Sequence, residues 1–370
     1  MSNQQYSDQK RPLAFTKGEI DRAGNSIRHR VEDDERNEAI KKIQNFREFH
    51  LYPLMLLKNH LSRTSRRVGK KIIVARRLKR LPTIIDKLER PTLDGQRPNS
   101  IRVTTMQDIA GCRAIVKNTK QLFGLKKRLE QSRSVHEIIN TRDYLTCPKD
   151  DGYGGIHLIY SCYKGQKAEH EWKGAKVEVQ LRTELQHAWA TSLEIIDTLK
   201  GMNLKTSREG HQDWRRFFAL AGRLVAHHEG LCEIEPDELL QVREELTALN
   251  EELDVRREIT RYVLGISFAH HKSVKKRNGD GLYLIMLPEP KVDEKSSEAQ
   301  LKVRVATYSR KESDLALAKL NESELDDSIL LSVLVSAPNA RILKQAYPNY
   351  FGSTQQFTNF INEYLVADED

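Results

Sequence analysis

The chain has 370 residues, 38% of them hydrophobic and 31% charged, and its 61 Lys and Arg against 52 Asp and Glu leave a net charge of +9. That length suits one large or two medium domains, and with aromatic and β-branched residues throughout and a mean hydropathy of -0.62 it excludes a fully disordered chain. No apolar run approaches the ~20 residues of a membrane span; the start, MSNQQYSDQKRPL, lacks a signal-like apolar core, and Cys112, Cys147, Cys162 and Cys232 form no Cys-x-x-Cys pair, so a reduced, cytoplasmic protein off the membrane is expected.

Residues 17 to 62 read as helical, with Asp33 and Asp34 near a start and Ala39, Ile40, Ile43, Phe46, Phe49 and Leu51 as apolar positions before Pro53. A second helix is expected from about Leu54 through the basic stretch that follows. From Arg63 to Arg90 eleven basic residues face two acids, Asp86 and Glu89, an excess of nine that equals the excess of the whole chain. The positive field is therefore local, and apolar residues from Ile72 to Leu88 make the stretch amphipathic. A phosphate-rich ligand is its natural partner, with a solvated helix face as the plain alternative.

Pro91 and the polar segment to Ser100 break the helical pattern. Four short apolar runs follow, Cys112 to Val116, Val135 to Ile139, Ile156 to Cys162 and Val177 to Leu181, with a helix from Lys120 to Glu130 and Gly- and Pro-bearing loops between them. Helices are then expected over Glu184 to Leu199 and over 213 to 231. After Pro236-Asp237, Leu239, Val242, Leu246, Leu249 and Leu253 fall at steps of three and four, a seam short enough to be an intramolecular helix pair. The last hundred residues read as a separate unit: strands Leu282 to Leu287, Leu301 to Thr307 and Ile329 to Ser336, a helix Asp314 to Leu320, and two short helices around Tyr347 and Phe357. The expected fold is α/β (α+β), a mixed β-sheet domain flanked by helices plus a smaller α/β C-terminal domain. Its divisions are 1–62 (helical), 63–212 (sheet domain), 213–263 (helical connector) and 264–370 (accessory or regulatory domain).

Three segments hold chemistry. In Lys176 to Arg182 the strand period of two sends Val177, Val179 and Leu181 to the core and lines up Glu178, Gln180 and Arg182 on the other face, a polar floor or an ordinary solvent face. Gln107 to Arg113 places Asp108 just before a strand, with the small pair Ala110-Gly111 open to a ligand and Arg113 beyond. An acid there suits Mg²⁺, which takes one or two carboxylates and leaves its other positions to water and phosphate oxygens. Asp143-Tyr144 and Pro148 to His157 form a Gly-rich loop in which Tyr153 can stack on a base and Lys149 and His157 can meet phosphate, or which is simply a hairpin turn.

Together these segments resemble the synthetase domain of the RelA/SpoT alarmone synthetase family. Its Arg-x-Lys-x-x-x-Ser-Ile-x-x-Lys-Leu pattern is similar to Arg77 to Leu88, with Thr83 for Ser, and its Asp-Ile-x-Gly-x-Arg is similar to Asp108 to Arg113. The loop Gly-Tyr-Arg-x-x-His resembles Gly152 to His157, and Glu-x-Gln-x-Arg-Thr resembles Glu178 to Thr183, followed by Trp189-Ala190. The likeness covers roughly residues 40 to 200. It implies a nucleotidyltransferase-like fold and an ATP-dependent pyrophosphokinase, in which the 3′-hydroxyl of a guanosine nucleotide attacks the β-phosphorus of ATP, AMP leaves, and ppGpp or pppGpp forms. By that resemblance Arg77, Lys79, Thr83, Lys87, Arg90 and Arg113 bind ATP, with Arg77 and Arg113 around adenine. Asp108 and Glu178 are the catalytic acids: Asp108 holds Mg²⁺, and Glu178 either shares the metal or orients the attacking hydroxyl as a base. Lys149, Tyr153, His157, Gln180 and Arg182 bind the acceptor, Tyr153 stacking on its base and Gln180 reading its edge.

The chain departs from the family in two ways. Gly154 stands where the loop usually has arginine, which leaves room for another acceptor such as the 3′ end of tRNA, the substrate of toxic relatives, with residues 264–370 as self-inhibitor or sensor, for instance in phage defence. There is no His-Asp dipeptide of the family's hydrolase domain. A catalytically inactive nucleotide-binding regulator is the reading from another class, and retention of both Asp108 and Glu178 argues against it. Homo-oligomerisation and a regulatory protein ligand of the C-terminal domain stay open. His227-His228 and His270-His271 have no cysteine or acid at ligand spacing, and Tyr347 to Phe351 reads as an aromatic core cluster, with docking of a partner as the alternative.

Overall fold

The computed structural model describes residues 7, 9–92, 97, 99–146, 149–200, 202, 204, 210–255, 258–259, 281–288, 304–326, 328–337 and 355–365. Cys147, His270-His271, the start of the expected strand Leu301 to Thr307 and Tyr347 to Phe351 lie outside them. No helix among the described residues is long and apolar enough to cross a membrane.

Three helices open the chain: α1 (Lys17–Arg28), α2 (Asp33–Phe49) and α3 (Leu51–Arg66). Thr16 and Glu19 cap α1 reciprocally, which satisfies its first orphan N–H groups, and Asp33, Asp34 and Glu35 place negative charge on the positive end of α2. Pro53 ends nothing; it sits in the first turn of α3, where its missing N–H has no partner to lose. The basic stretch is not one helix. After Arg66 it turns into β1 (Ile73–Leu78) and then α4 (Leu81–Glu89), because the β-branched run Ile72-Ile73-Val74 favours a pleated, half-buried strand and Pro82 starts a new helix.

The next elements are β2 (Ala110–Val116), α5 (Thr119–Glu130), β3 (Glu137–Asp143), β4 (Ile156–Ser161), β5 (Lys176–Thr183), α6 (Glu184–Lys200), α7 (Gln212–His228) and α8 (Pro236–Leu253). The C-terminal part adds β6 (Gly281–Pro288), β7 (Arg304–Tyr308), α9 (Ser313–Glu324), β8 (Ile329–Ala337) and α10 (Gln355–Leu365). All eight strands join one mixed sheet in the order β3-β4-β5-β2-β1-β8-β6-β7. Among the described residues, β2–β5 is the one parallel pair.

One face of the β1-to-β5 half packs on α3 and α5 through Cys112, Ala114, Leu158, Val177, Val179 and Leu181. Helices α6, α7, α8 and α10 form a second core around Trp189, Phe217, Phe218, Leu246 and Phe357. Val242, Leu246 and Leu249 of the heptad seam are buried in it, so the seam is intramolecular as expected. Among the described residues, the C-terminal elements meet the rest at several places. Strand β8 bridges β1 at Arg77 and Val335, and α10 lies in the helical core. A buried ion pair, Arg47 of α2 with Glu324 of α9 at 2.7 Å, also accepts the Leu81 N–H that starts α4.

Candidate active site

The free face of the sheet is read off its registers. Arg77 pairs with Gly111, and Gly111 with Glu178, so these three stand in one row across β1, β2 and β5. The next row is Ala75, Arg113, Gln180 and His157, reaching β4. Neighbouring strands are ~4.8 Å apart, which sets Arg77 and Glu178 about 10 Å from each other across a glycine that fills none of the space. The small residue that opens the site is Gly111; Ala110 points the other way and is fully buried.

The result is an open cleft of about 570 Å³ lined by Arg77, Lys79, Asp108, Arg113, Glu178 and Gln180 among others. Asp108 enters from the loop just before β2, drawn to β1 by the backbone bond from Lys79 N–H to the Ile109 carbonyl at 2.8 Å. Its carboxylate accepts from Lys79 at 2.9 Å and from Lys87 of α4 at 3.2 Å. Burial opposes its ionisation, but the two ammonium groups outweigh burial and hold the Asp108 carboxyl at about 2. Burial likewise pushes the Lys79 ammonium below its ordinary value, with Asp108 working against it.

Glu178 is held differently. It is 8% exposed and accepts from His157 Nδ1 at 2.9 Å and from Gln180 Nε2 at 2.8 Å. Burial again disfavours its charge, and these two hydrogen bonds bring its pKa below the usual glutamate value nonetheless. Burial lowers the His157 pKa, so the ring is neutral at neutral pH. With Nδ1–H given to Glu178, Nε2 accepts the Tyr153 hydroxyl at 2.6 Å, and the Tyr153 oxygen accepts from Arg182 Nε at 2.9 Å. Burial raises the Tyr153 pKa, which keeps the hydroxyl a donor. Gln180 Oε1 accepts from Arg113 Nε at 3.3 Å and Arg182 Nη2 at 3.2 Å, so its amide nitrogen must face Glu178.

The Gly-rich loop is set against the helical layer. Gly152 has φ of 80°, and a Cβ there would lie 2.7 Å from the Phe218 carbonyl oxygen of α7; a Cβ on Gly222 would lie 2.1 Å from the Gly152 carbonyl oxygen. Only glycine fits at both points of this crossing. Lys149 lies 5.3 Å and Arg182 4.9 Å from the centre of the Tyr153 ring.

Most of the residues expected from sequence therefore meet. Arg77, Lys79, Asp108, Arg113, Glu178 and Gln180 share the cleft, Lys87 reaches it through Asp108, and Lys149, Tyr153, His157 and Arg182 join at the Glu178 end. Thr83 lies one turn before Lys87 on α4, and Arg90 caps the end of that helix; neither is among the cleft-lining residues. Both ends of the Gln180 amide, expected to read a base, are engaged within the protein. Sequence reasoning missed His187, 3.5 Å from Arg113, and the packing of Tyr144 and Trp189 around Tyr153. The Trp189 position was visible beside the last motif; His187 carried no separate signal.

Two carboxylates facing one cleft, both kept ionised, are a donor set that fits Mg²⁺, which binds through one or two acids. Among the described residues no third acid, histidine or cysteine joins them to make a protein cage.

Residues 76–195 match the family described as a region found in RelA / SpoT proteins. The chain is 31% identical over 118 residues to the GTP pyrophosphokinase YjbM of Bacillus subtilis (strain 168), covering 32% of this chain and 52% of that one. It is 28% identical over 121 residues to the GTP pyrophosphokinase YwaC of the same organism, covering 31% and 52%. The chain thus spans about half the length of these relatives. Among solved structures, small alarmone synthetase 2 from Bacillus subtilis aligns with a TM-score of 0.38 at 20% identity, over 55% of this chain and 96% of that one. Small alarmone synthetase 1 from the same organism, bound to its product pppGpp, aligns with a TM-score of 0.32 at 23% identity, over 42% and 75%. The segment that is similar to the region found in RelA / SpoT proteins, residues 76–195, is the one that holds both cleft carboxylates.

Proposed function

We propose that the chain is an ATP-dependent pyrophosphokinase that moves the β,γ-pyrophosphoryl group of ATP to the 3′-hydroxyl of a guanosine nucleotide. The observation that carries this reading is that Asp108 and Glu178, far apart in sequence, line one cleft with Arg77, Lys79 and Arg113. ATP brings about four negative charges, which match the cations of β1 and α4. Arg77 and Arg113 offer planar guanidinium groups to adenine, while Lys79, Lys87 and Arg90, with the Thr83 hydroxyl, meet the phosphates.

The 3′-oxygen forms a bond to the β-phosphorus as the bond from that phosphorus to the bridging oxygen of AMP breaks, and AMP leaves with that electron pair. The hydroxyl proton goes to Glu178, which is already ionised. His157 and Gln180 aim the two oxygens of that carboxylate, and the Tyr153–Arg182 contact fixes His157 in turn. Lys149 and Arg182 meet the acceptor phosphates. Asp108 and Glu178 would hold Mg²⁺, which supplies neutralisation of the phosphate oxygens when bound. Such transfer is mostly positioning and charge neutralisation, and this site is built of both.

An RNA acceptor gains little from the basic stretch. Arg66, Arg67, Lys70 and Lys71 are exposed, but they precede β1, whereas the cleft opens at its end; from Lys71 to Arg77 is ~20 Å of extended chain. Incubating the full chain with γ-labelled ATP, Mg²⁺ and either GTP, GDP or deacylated tRNA tests the reading. Label on the guanosine nucleotide with equimolar AMP is expected. Label on RNA replaces the acceptor, and label on neither makes the chain a nucleotide-binding regulator without transfer.

A further inference from the structure

Behind the Gly-rich loop lies a second cavity of about 960 Å³, walled by Tyr144, Tyr153 and Trp189 on one side and by α7 on the other. Two of its aromatic walls, Trp189 and Tyr153, have already used their polar atoms. The Trp189 indole N–H donates to the Phe218 carbonyl at 3.0 Å, and the Tyr153 hydroxyl is held by His157 and Arg182. What they offer the cavity is flat apolar surface, suited to an aromatic guest.

Two polar groups stand at the wall with capacity left. Gln186, 3% exposed, accepts the Thr183 N–H through Oε1 at 3.2 Å and donates from Nε2 to Glu229 Oε2 at 2.7 Å. Glu229 also accepts from the Thr183 side chain, and burial holds its carboxyl above the ordinary value. An amide nitrogen has two N–H groups and a carboxylate about four lone-pair sites. The pair therefore presents an N–H donor directly beside a carboxylate acceptor.

We propose that this cavity receives the base of the acceptor and that Glu229, with Gln186, selects guanine. Guanine carries N1–H and N2–H₂ donors beside the O6 acceptor, which is the complement of a carboxylate beside an amide N–H. Adenine turns a lone pair, N1, toward the carboxylate, and that juxtaposition rejects it. The inference rests on the pyrophosphokinase reading for the identity of the guest as an acceptor. It transfers the task of reading the base from Gln180, whose amide is engaged inside the sheet, to residues that no motif contains. Gly154 lines the cavity, and a Cβ there would lie in ordinary contact, 3.5 Å from Gln186 and 3.6 Å from Leu145, so a larger side chain at 154 takes up room beside Gln186.

Calorimetric binding of GTP and of ITP, which lacks the N2 amine, to the full chain saturated with a non-hydrolysable ATP analogue tests this directly. The wild type is expected to prefer GTP by about tenfold, the worth of one hydrogen bond whose loss leaves a partner unpaired. Glu229→Gln is expected to weaken GTP binding by about tenfold or more and to bring the two ligands level. Gly154→Leu is expected to weaken both ligands alike, with the ATP analogue binding as before. Discrimination surviving in Glu229→Gln, unimpaired GTP binding in Gly154→Leu, or a wild type that does not bind GTP would each overturn the proposal. Because binding is read without transfer, a chain that shows this preference and transfers nothing overturns the pyrophosphokinase reading alone.

Discussion

The two ends of the cleft keep a carboxylate ionised by opposite means. At the β1 end, Asp108 is held by charge: two ammonium groups on different elements, Lys79 and Lys87, converge on it. At the β4 end, Glu178 is held by a chain of hydrogen bonds through the neutral ring of His157 and the amide of Gln180. The first arrangement leaves three charges that a triphosphate and a cation can redistribute. The second is rigid, closed by Tyr153 and Arg182, and its geometry is set before any ligand arrives. An electrostatic end suits a polyanionic donor, and a preorganised end suits the precise placement of one hydroxyl.

That contrast can be broken by mutation. Asp108→Ala leaves two lysines without their carboxylate and is expected to lower transfer by about 10³-fold or more, with ATP binding changed far less; full activity in initial-rate assays would remove Asp108 from the mechanism. Glu178→Gln keeps the shape and removes the charge, and a loss of about 10²-fold in kcat is expected for a missing proton acceptor. A change confined to KM would make Glu178 a binding group instead. Tyr153→Phe is the test of rigidity. It leaves His157 Nε2 and Arg182 Nε without their shared partner, for an expected fall of about tenfold in kcat/KM, and it should leave Kd for an ATP analogue unmoved, since the ATP end does not depend on that chain.

How far the cleft could be read from sequence varies with how local its causes are. The alternation of Val177, Val179 and Leu181 with Glu178, Gln180 and Arg182 is fixed by the strand period, so the polar row was legible, whereas the approach of Asp108 to it was implied only by the family resemblance. The strand Ile73–Leu78 was not legible. The β-branched run Ile72 to Val74 favours a strand, but Arg76 and Arg77 match a basic helix face equally well, and pairing with β2 and with β8, partners that lie far along the chain, is what settles it. The part played by Gln180 was hidden for a similar reason: its amide is spent on Arg113, Arg182 and Glu178 at once, which only the parallel register of β2 on β5 brings about. Gln186 and Glu229 meet because α6 and α7 cross, and nothing in either segment announces the other.

The smallest expected effect separates the two ends by stability rather than rate. In the folded protein Asp108 titrates at about 2, below its ordinary 3.8, so its ion pairs stabilise the fold fully above about pH 4 and lose that contribution as pH falls toward 2. The difference corresponds to about 2 kcal/mol. In urea unfolding, Asp108→Asn should fall below the wild type by about this amount at pH 7, and the gap should shrink to about half by pH 3. Added salt should narrow it as well, because the Asp108, Lys79 and Lys87 side chains are 27%, 19% and 24% exposed and ions screen partly exposed charges. The gap between wild type and Glu178→Gln, set by short hydrogen bonds in a site 8% exposed, should hardly respond to salt. If both gaps closed in parallel as ionic strength rose, Glu178 would be held by net charge after all, and the division of the cleft into an electrostatic end and a preorganised end would fail.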